Sequence, residues 1–249
     1  MRSYITLVIF LLVINESAAQ AITNIENLRR EGEIGDFLSS SFSFSKTSGN
    51  EERENYSPQL DLNTNTIDRE ILLIVNQSKR MRGDELQDQM KFMHFRYMLP
   101  SERIFDVEFY AQGSENPFQL YKSRYLVGSG LRFSLGDHLK IGTSIFYEDE
   151  TSLLSVNKKT NRVNLYLSSS RQLNEISSLN YSFFYQPSIE DPTLDRKSSL
   201  LLSLNFDLST RLRLSMQYSH SYDSDPPDRA IKADKSFITL FQYDLINRR

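Results

Sequence analysis

The feature that most constrains this chain is a period of two. From Gly35 onward, apolar and aromatic side chains recur on alternate residues in runs of about 9 to 14 residues. That is the pattern of a strand with one dry face, and it is not a helical pattern. In Gly35–Thr47, Leu38, Phe42 and Phe44 oppose Ser39, Ser41, Ser43 and Ser45. In Gln119–Leu135, Tyr121, Tyr125, Val127, Leu131 and Phe133 oppose Lys122, Arg124, Gly128, Gly130 and Arg132. Leu139, Ile141, Ile145 and Tyr147 likewise oppose Lys140, Gly142 and Ser144. The pattern predicts twelve strands, centred near Phe42, Leu62, Leu73, Phe95, Phe109, Tyr125, Ile145, Leu165, Phe183, Leu204, Met216 and Leu240. Two runs depart from it: Gln59–Thr66 is polar along most of its length, and Glu70–Val75 is apolar on both parities.

The connections alternate as well. Ser48–Asn55, Gln77–Asp88, Gly113–Phe118, Asp149–Thr160, Pro187–Asp195 and Asp223–Asp234 read as long polar loops. Between them Asn65–Asp68, Pro100–Glu102, Gly136-Asp137, Gln172–Asn174 and Ser209-Thr210 read as tight turns. A meander with short turns at one end and long loops at the other is the layout of an outer-membrane barrel, whose even strand number returns both termini to the periplasmic side. Aromatics near strand ends (Tyr110, Tyr121, Phe133, Tyr147, Tyr185, Tyr222 and Tyr243) suit the interfacial girdles of such a barrel. A soluble sandwich shares the alternation, and the connection lengths are what favour the barrel.

Composition then takes on meaning. A mean hydropathy of −0.45 excludes a helical membrane protein, but a barrel needs only its outward half apolar. With no cysteine, disulfides, Cys-ligated metals and a lipidated N-terminus are excluded. A net charge of −3 argues against a nucleic-acid partner. At the start, Arg2 precedes the apolar run Ile5–Ile14, and small residues follow at Ser17-Ala18-Ala19 and Ala21. This predicts a signal peptide over residues 1–21, a periplasmic N-terminal segment over 22–34 and a barrel over 35–249. Within Ile22–Glu33, Ile25 and Leu28 have the i, i+3 spacing of a short helix, which either plugs the lumen or tethers the first strand.

The segments HFRY around His94–Tyr97, Phe109-Tyr110-Ala111-Gln112 and YKSRYLVGSGLRF over Tyr121–Phe133 resemble the bacterial family known as domain of unknown function 481. Arg124, Gly128, Gly130 and Phe133 match its strand pattern, and the hairpin containing Ser48-Gly49-Asn50 is similar too. The resemblance implies a signal-peptided outer-membrane β-barrel and brings no activity or catalytic residue with it. One departure from outer-membrane proteins in general is the C-terminus, where Phe241–Leu245 is followed by Ile246-Asn247-Arg248-Arg249 and not by a terminal aromatic.

Chemistry-bearing motifs are absent: there is no nucleophile elbow, P-loop, dinucleotide loop or zinc-helix pattern. Gly128-Ser129-Gly130 reads as small residues making room on an inward face. His94, His138 and His220 are scattered without ligand spacing, and no catalytic, metal or cofactor residue is expected. The acidic stretches Glu148-Asp149-Glu150 and Asp223–Asp228 lack calcium-loop spacing and read as solvated. Strand parity places Arg96, Asp106, Glu108, Lys122, Arg124, Arg132, Lys140, Glu148, Arg162, Asp207 and Arg213 on the lumen side. Charges of both signs there either line a narrow channel or pair and plug it, pairing being favoured because lone charges in a narrow interior are costly. The expectation is a non-enzymatic, porin-like Gram-negative outer-membrane barrel with a structural or narrow-pore role. Its expected partners are outer-membrane lipid and the barrel-insertion machinery. The alternatives are an outer-membrane or secreted hydrolase and a soluble secreted β-rich binding domain.

Overall fold

The computed structural model describes residues 25–30, 32–47, 53–101, 104–117, 120–136, 138–226 and 231–248. The expected signal peptide lies outside them. The described residues form twelve strands: β1 Gly35–Thr47, β2 Arg53–Asn65, β3 Glu70–Arg82, β4 Glu85–Leu99, β5 Phe105–Asn116 and β6 Tyr121–Leu135, then β7 Leu139–Ser152, β8 Asn157–Asn174, β9 Ser177–Pro187, β10 Arg196–Asp207, β11 Leu212–Asp223 and β12 Ala233–Arg248. Each pairs antiparallel with its sequence neighbours, and β1 pairs with β12, so the sheet closes into a barrel with no free edge. Every predicted strand centre falls within one of these strands.

Closure is what lets this sequence work in lipid. The hydrocarbon satisfies no backbone N–H or C=O, so a spanning sheet must bond entirely to itself. The side chains are arranged inside out relative to a soluble domain. Phe95, Phe109, Val127, Ile145, Leu165 and Phe183 face outward and exposed, Ile145 at 62%. The residues buried in the interior are mainly Ser, Asn, Arg and Glu. Such a wall is stable only if the exterior is lipid.

Where the interior is crowded, glycine is required for space. A Cβ on Gly130 would lie 2.4 Å from the Thr143 carbonyl oxygen, and one on Gly142 would lie 2.0 Å from the Tyr166 ring. A Cβ on Gly128 would lie 2.6 Å from the Phe146 side chain and 2.7 Å from that of Tyr110.

Several expectations change. The connection Gln77–Asp88 is no long loop: β3 runs to Arg82, turns at Gly83-Asp84, and β4 starts at Glu85. Asp149–Thr160 is likewise mostly strand. The strands have 11 to 18 residues, more than the roughly 9–11 needed to span a bilayer. Beyond the lipid both faces of a strand are wet, so these extensions carry polar residues on both parities and look like loop. Finally, a register shift between Tyr121 and Ser123 on β6 turns Tyr121 into the interior and leaves Lys122 exposed, the reverse of simple parity. Tyr110 is also buried inside, so neither tyrosine belongs to a girdle.

The lipid-facing assignment is testable at Ile145. Ile145→Arg, near the middle of β7, is expected to lower unfolding stability in lipid vesicles by about 2–4 kcal/mol. An unchanged urea midpoint would show that this face is not in hydrocarbon.

Candidate functional site

The lumen holds two layers of charge, and a segment that belongs to no strand completes one of them. The 3-10 turn at Glu26–Leu28 and the following Arg29 and Arg30 lie inside the barrel ahead of β1. Its apolar anchor is Ile25, 2% exposed, which packs with Leu72 and Ile74 of β3 and Phe92 of β4. An irregular backbone inside a barrel needs partners for its carbonyls, and two asparagines of β2 supply them. Asn63 Nδ2 donates to the Leu28 carbonyl at 3.1 Å, and Asn65 Nδ2 donates to those of Arg30 and Glu33 at 2.8 and 3.1 Å. Arg30 reaches β12 and β1, donating to Asp244 Oδ1 at 2.5 Å and Ser39 Oγ at 3.2 Å. Its guanidinium also lies over the Phe37 ring, 4.8 Å from the centroid.

Glu26 reaches the other wall. Arg96 Nη1 of β4 donates to Glu26 Oε1 at 3.1 Å, and Arg132 Nη1 of β6 donates to Glu26 Oε2 at 2.6 Å. Each carboxylate oxygen thus has a guanidinium of its own. Arg96 also donates to Glu108 Oε2 at 3.0 Å. Arg132 donates to the Tyr166 hydroxyl at 3.2 Å, and that hydroxyl donates to Glu108 Oε1 at 3.3 Å. Arg29, 3.6 Å from Glu26, pairs with Glu70 at 3.1 Å. Burial alone would push the Glu26 carboxyl up, but Arg132, Arg29 and Arg96 together hold it well below the usual carboxylate range.

The second layer sits toward the long-connection end, around Glu148 of β7. Arg124 Nε bonds Glu148 Oε1, Arg162 Nε donates to Oε2 at 2.5 Å, and Lys197 Nζ donates to Oε1 at 2.9 Å. Lys197 continues to Glu150 at 3.2 Å and lies 3.6 Å from Asp223. Arg162, fully buried, also donates to Asp195 Oδ1 at 2.7 Å. Asp195 lies just before β10; burial would push its carboxyl up, but bonds from Lys158 and Arg162 hold it below its ordinary value. Between the two layers lies a cavity of about 30 Å³ bordered by Ile25, His94, Arg96, Tyr110, Arg124 and Gln186. His94 stacks between Phe92 and Tyr110, its Nδ1 3.3 Å from Gln112 Oε1, while its buried Nε2 has no partner.

The charges placed on the lumen side by sequence thus divide by position. Arg96, Glu108, Arg124, Arg132, Glu148 and Arg162 are buried together in the two layers. Asp106, Lys140, Asp207 and Arg213 lie toward the short-turn rim, where Asp207 pairs with Arg213 at 2.6 Å and Lys140 donates to Ser134 at 2.8 Å. Lys122 is outside the cluster. Sequence reasoning missed Glu26, Arg29 and Arg30, which lie where no periodicity applies. It also missed Lys197, although that residue shares the inward parity of Ser199, Ser203 and Asn205. Among the described residues no group of three potential metal-ligating side chains stands together.

Together the closed sheet, apolar exterior and charged interior define an outer-membrane-type β-barrel. The chain belongs to the family described as Protein of unknown function, DUF481, which matches residues 40–245. Among solved structures it is similar to the NanC porin, with 10% identity, a TM-score of 0.52, and coverage of 84% of this chain and 100% of that one. The translocator domain of autotransporter NalP from Neisseria meningitidis is 10% identical, with TM-score 0.48 and coverage of 88% and 91%. The COG4313 outer membrane channel from Pseudomonas putida F1 is 10% identical, with TM-score 0.48 and coverage of 85% and 95%. At these identities the likeness is one of fold. A search of curated protein sequences finds no match.

Glu148 is the shared acceptor of three buried cations, so Glu148→Gln is expected to cost about 3–5 kcal/mol by leaving them crowded. Lys91→Ala, at the exposed pair with Glu115, is expected to cost under about 1 kcal/mol. Urea titration of the refolded barrel separates the two, and equal midpoints would contradict the layered network.

Proposed function

We propose that the protein is an exported, non-enzymatic outer-membrane barrel forming a narrow pore that its own N-terminal segment holds shut. In this reading residues 1–21 are the signal peptide, the described residues 25–30 sit in the lumen at its periplasmic end, and the short turns face the periplasm. The observation that carries it is the position of Glu26, whose carboxylate bridges Arg96 and Arg132 while Arg30 is tied to Asp244. A segment fixed to β4 and β6 on one side and to β1, β2 and β12 on the other stands across the path of any solute. The fold shared with a porin supports the pore half of the reading. The lumen chemistry supports the closed half, because buried charges that are mutually paired offer no sites to a permeating ion.

The test is conductance in planar bilayers. The full barrel is expected to show no steady openings, and deletion of residues 22–34 is expected to produce stable, ion-selective ones. Steady conductance from the full barrel, or a silent deletion variant, would overturn the plug.

The closed state is also expected to survive mild acid. Since the Glu26 carboxyl is held below its ordinary 4.5, its contribution is present above that value and is lost only as the pH falls through the lowered value. Conductance at pH 5 should therefore match that at pH 7. Opening between the two would assign the gate to another group.

A further inference from the structure

The contacts made by Glu26 describe a receptor as well as a latch. Arg96 and Arg132 are fixed to strands and are held in place by wall groups of their own: Glu108 on Arg96, and Tyr166 on Arg132. Tyr166 in turn bonds Glu108, so the two guanidiniums belong to one wall assembly before Glu26 is added. The geometry at Glu26 is that of a carboxylate whose two oxygens meet different donors, at 3.1 and 2.6 Å. Planar, two-pronged recognition of this kind is what arginine provides for carboxylates.

The ligand in place comes from a non-strand segment, held by Asn63 and Asn65, by the Arg29–Glu70 and Arg30–Asp244 pairs and by the Ile25 contact. The wall is built into the hydrogen-bonded barrel and the occupant is not. A second, independent feature lies next to the site. The cavity beside Arg96 borders two buried polar atoms that the plug leaves unpartnered, His94 Nε2 and Gln186 Oε1, and Arg96 Nε is also without a partner. Buried groups of this sort are costly unless something bonds them. A ligand bulkier than one glutamate side chain would reach them once the segment withdraws.

We propose that Arg96 and Arg132 form a binding site for a small organic carboxylate in the lumen, occupied by Glu26 of the N-terminal segment until such a ligand takes its place. This rests on the reading that the segment closes the pore, and it adds the chemical class of solute that competes with the closure.

The experiment uses the full chain carrying Glu26→Ala, refolded in detergent, with heat-modifiable gel migration as the check that the barrel has closed. The atoms removed correspond to acetate, so sodium acetate is the probe, compared with sodium chloride and sodium phosphate at matched ionic strength. Acetate is expected to raise Tm by several degrees more than chloride, with saturation, and Glu26→Ala combined with Arg132→Gln is expected to lose that difference. Deletion of residues 22–34 also uncovers the site, and it serves as the second variant, with the same acetate-specific rise expected. Equal responses to acetate and chloride would overturn the site, as would an acetate effect that survives Arg132→Gln. A phosphate effect as large as that of acetate would overturn the carboxylate class. A deletion variant that conducts without responding to acetate would sink the site and leave the plug standing. One that responds to acetate without conducting would do the reverse.

Discussion

Two guanidiniums facing one another inside a membrane barrel set the terms for the rest of this structure. Arg96 and Arg132 are buried at positions that strand parity and closure force inward, and a lone buried cation is costly. Glu108 and Tyr166 meet part of that demand from the wall, and Glu26 adds a carboxylate from outside the sheet. The path of the N-terminal segment follows from this pairing. To bring Glu26 between the two arginines, the chain must run inside the barrel, so its carbonyls need donors and its apolar residues need a dry patch. Asn63 and Asn65 provide the donors, and Leu72, Ile74 and Phe92 provide the patch.

That dependence explains the two strands that broke the sequence pattern. β2 looked too polar because its inward Asp61, Asn63 and Asn65 face the N-terminal segment, two of them bonding its backbone. β3 looked apolar on both parities because Leu72 and Ile74 pack inward on Ile25 while Leu73 and Val75 face out. Read together, a strand with a polar inner face beside one with an apolar inner face is the imprint of an irregular segment lying against them. The remaining ten strands, the antiparallel order and the closure were legible from alternation, because each residue there answers only to lipid or lumen. The ends of the strands were not legible. Past the lipid boundary a strand has no dry face, so the extensions around Gly83-Asp84 and of β7 and β8 carry no parity signal. A one-residue slip at Tyr121 was invisible for the opposite reason, since Lys122 fits the simple pattern and only the register shows the bulge.

The candidate site divides in the same way. Arg96, Glu108, Arg124, Arg132 and Arg162 could be placed from parity, since an arginine among outward aromatics has only the interior to face. Their partners were harder to read. Glu26 and Asp195 come from segments without periodicity, and which carboxylate meets which arginine depends on barrel curvature that no local pattern encodes. The upper layer around Glu148 needs no plug, because β6, β7, β8 and β10 supply both signs of charge themselves. The barrel is therefore self-sufficient at the long-connection end and dependent on its N-terminal segment at the other. That asymmetry makes the lower layer a place where occupancy can change without opening the sheet.

The absence of cysteine makes the position of the segment directly measurable. A single Ile25→Cys substitution, compared with Ile34→Cys, can be challenged with a membrane-impermeant maleimide on the folded barrel. Ile25 is 2% exposed and Ile34 is 60% exposed. A segment seated in the lumen predicts slow labelling at residue 25 and fast labelling at residue 34, with protection at 25 lost on adding Glu26→Ala. Equally fast labelling at both positions in the otherwise unaltered protein would contradict a lumen held shut by its own N-terminus.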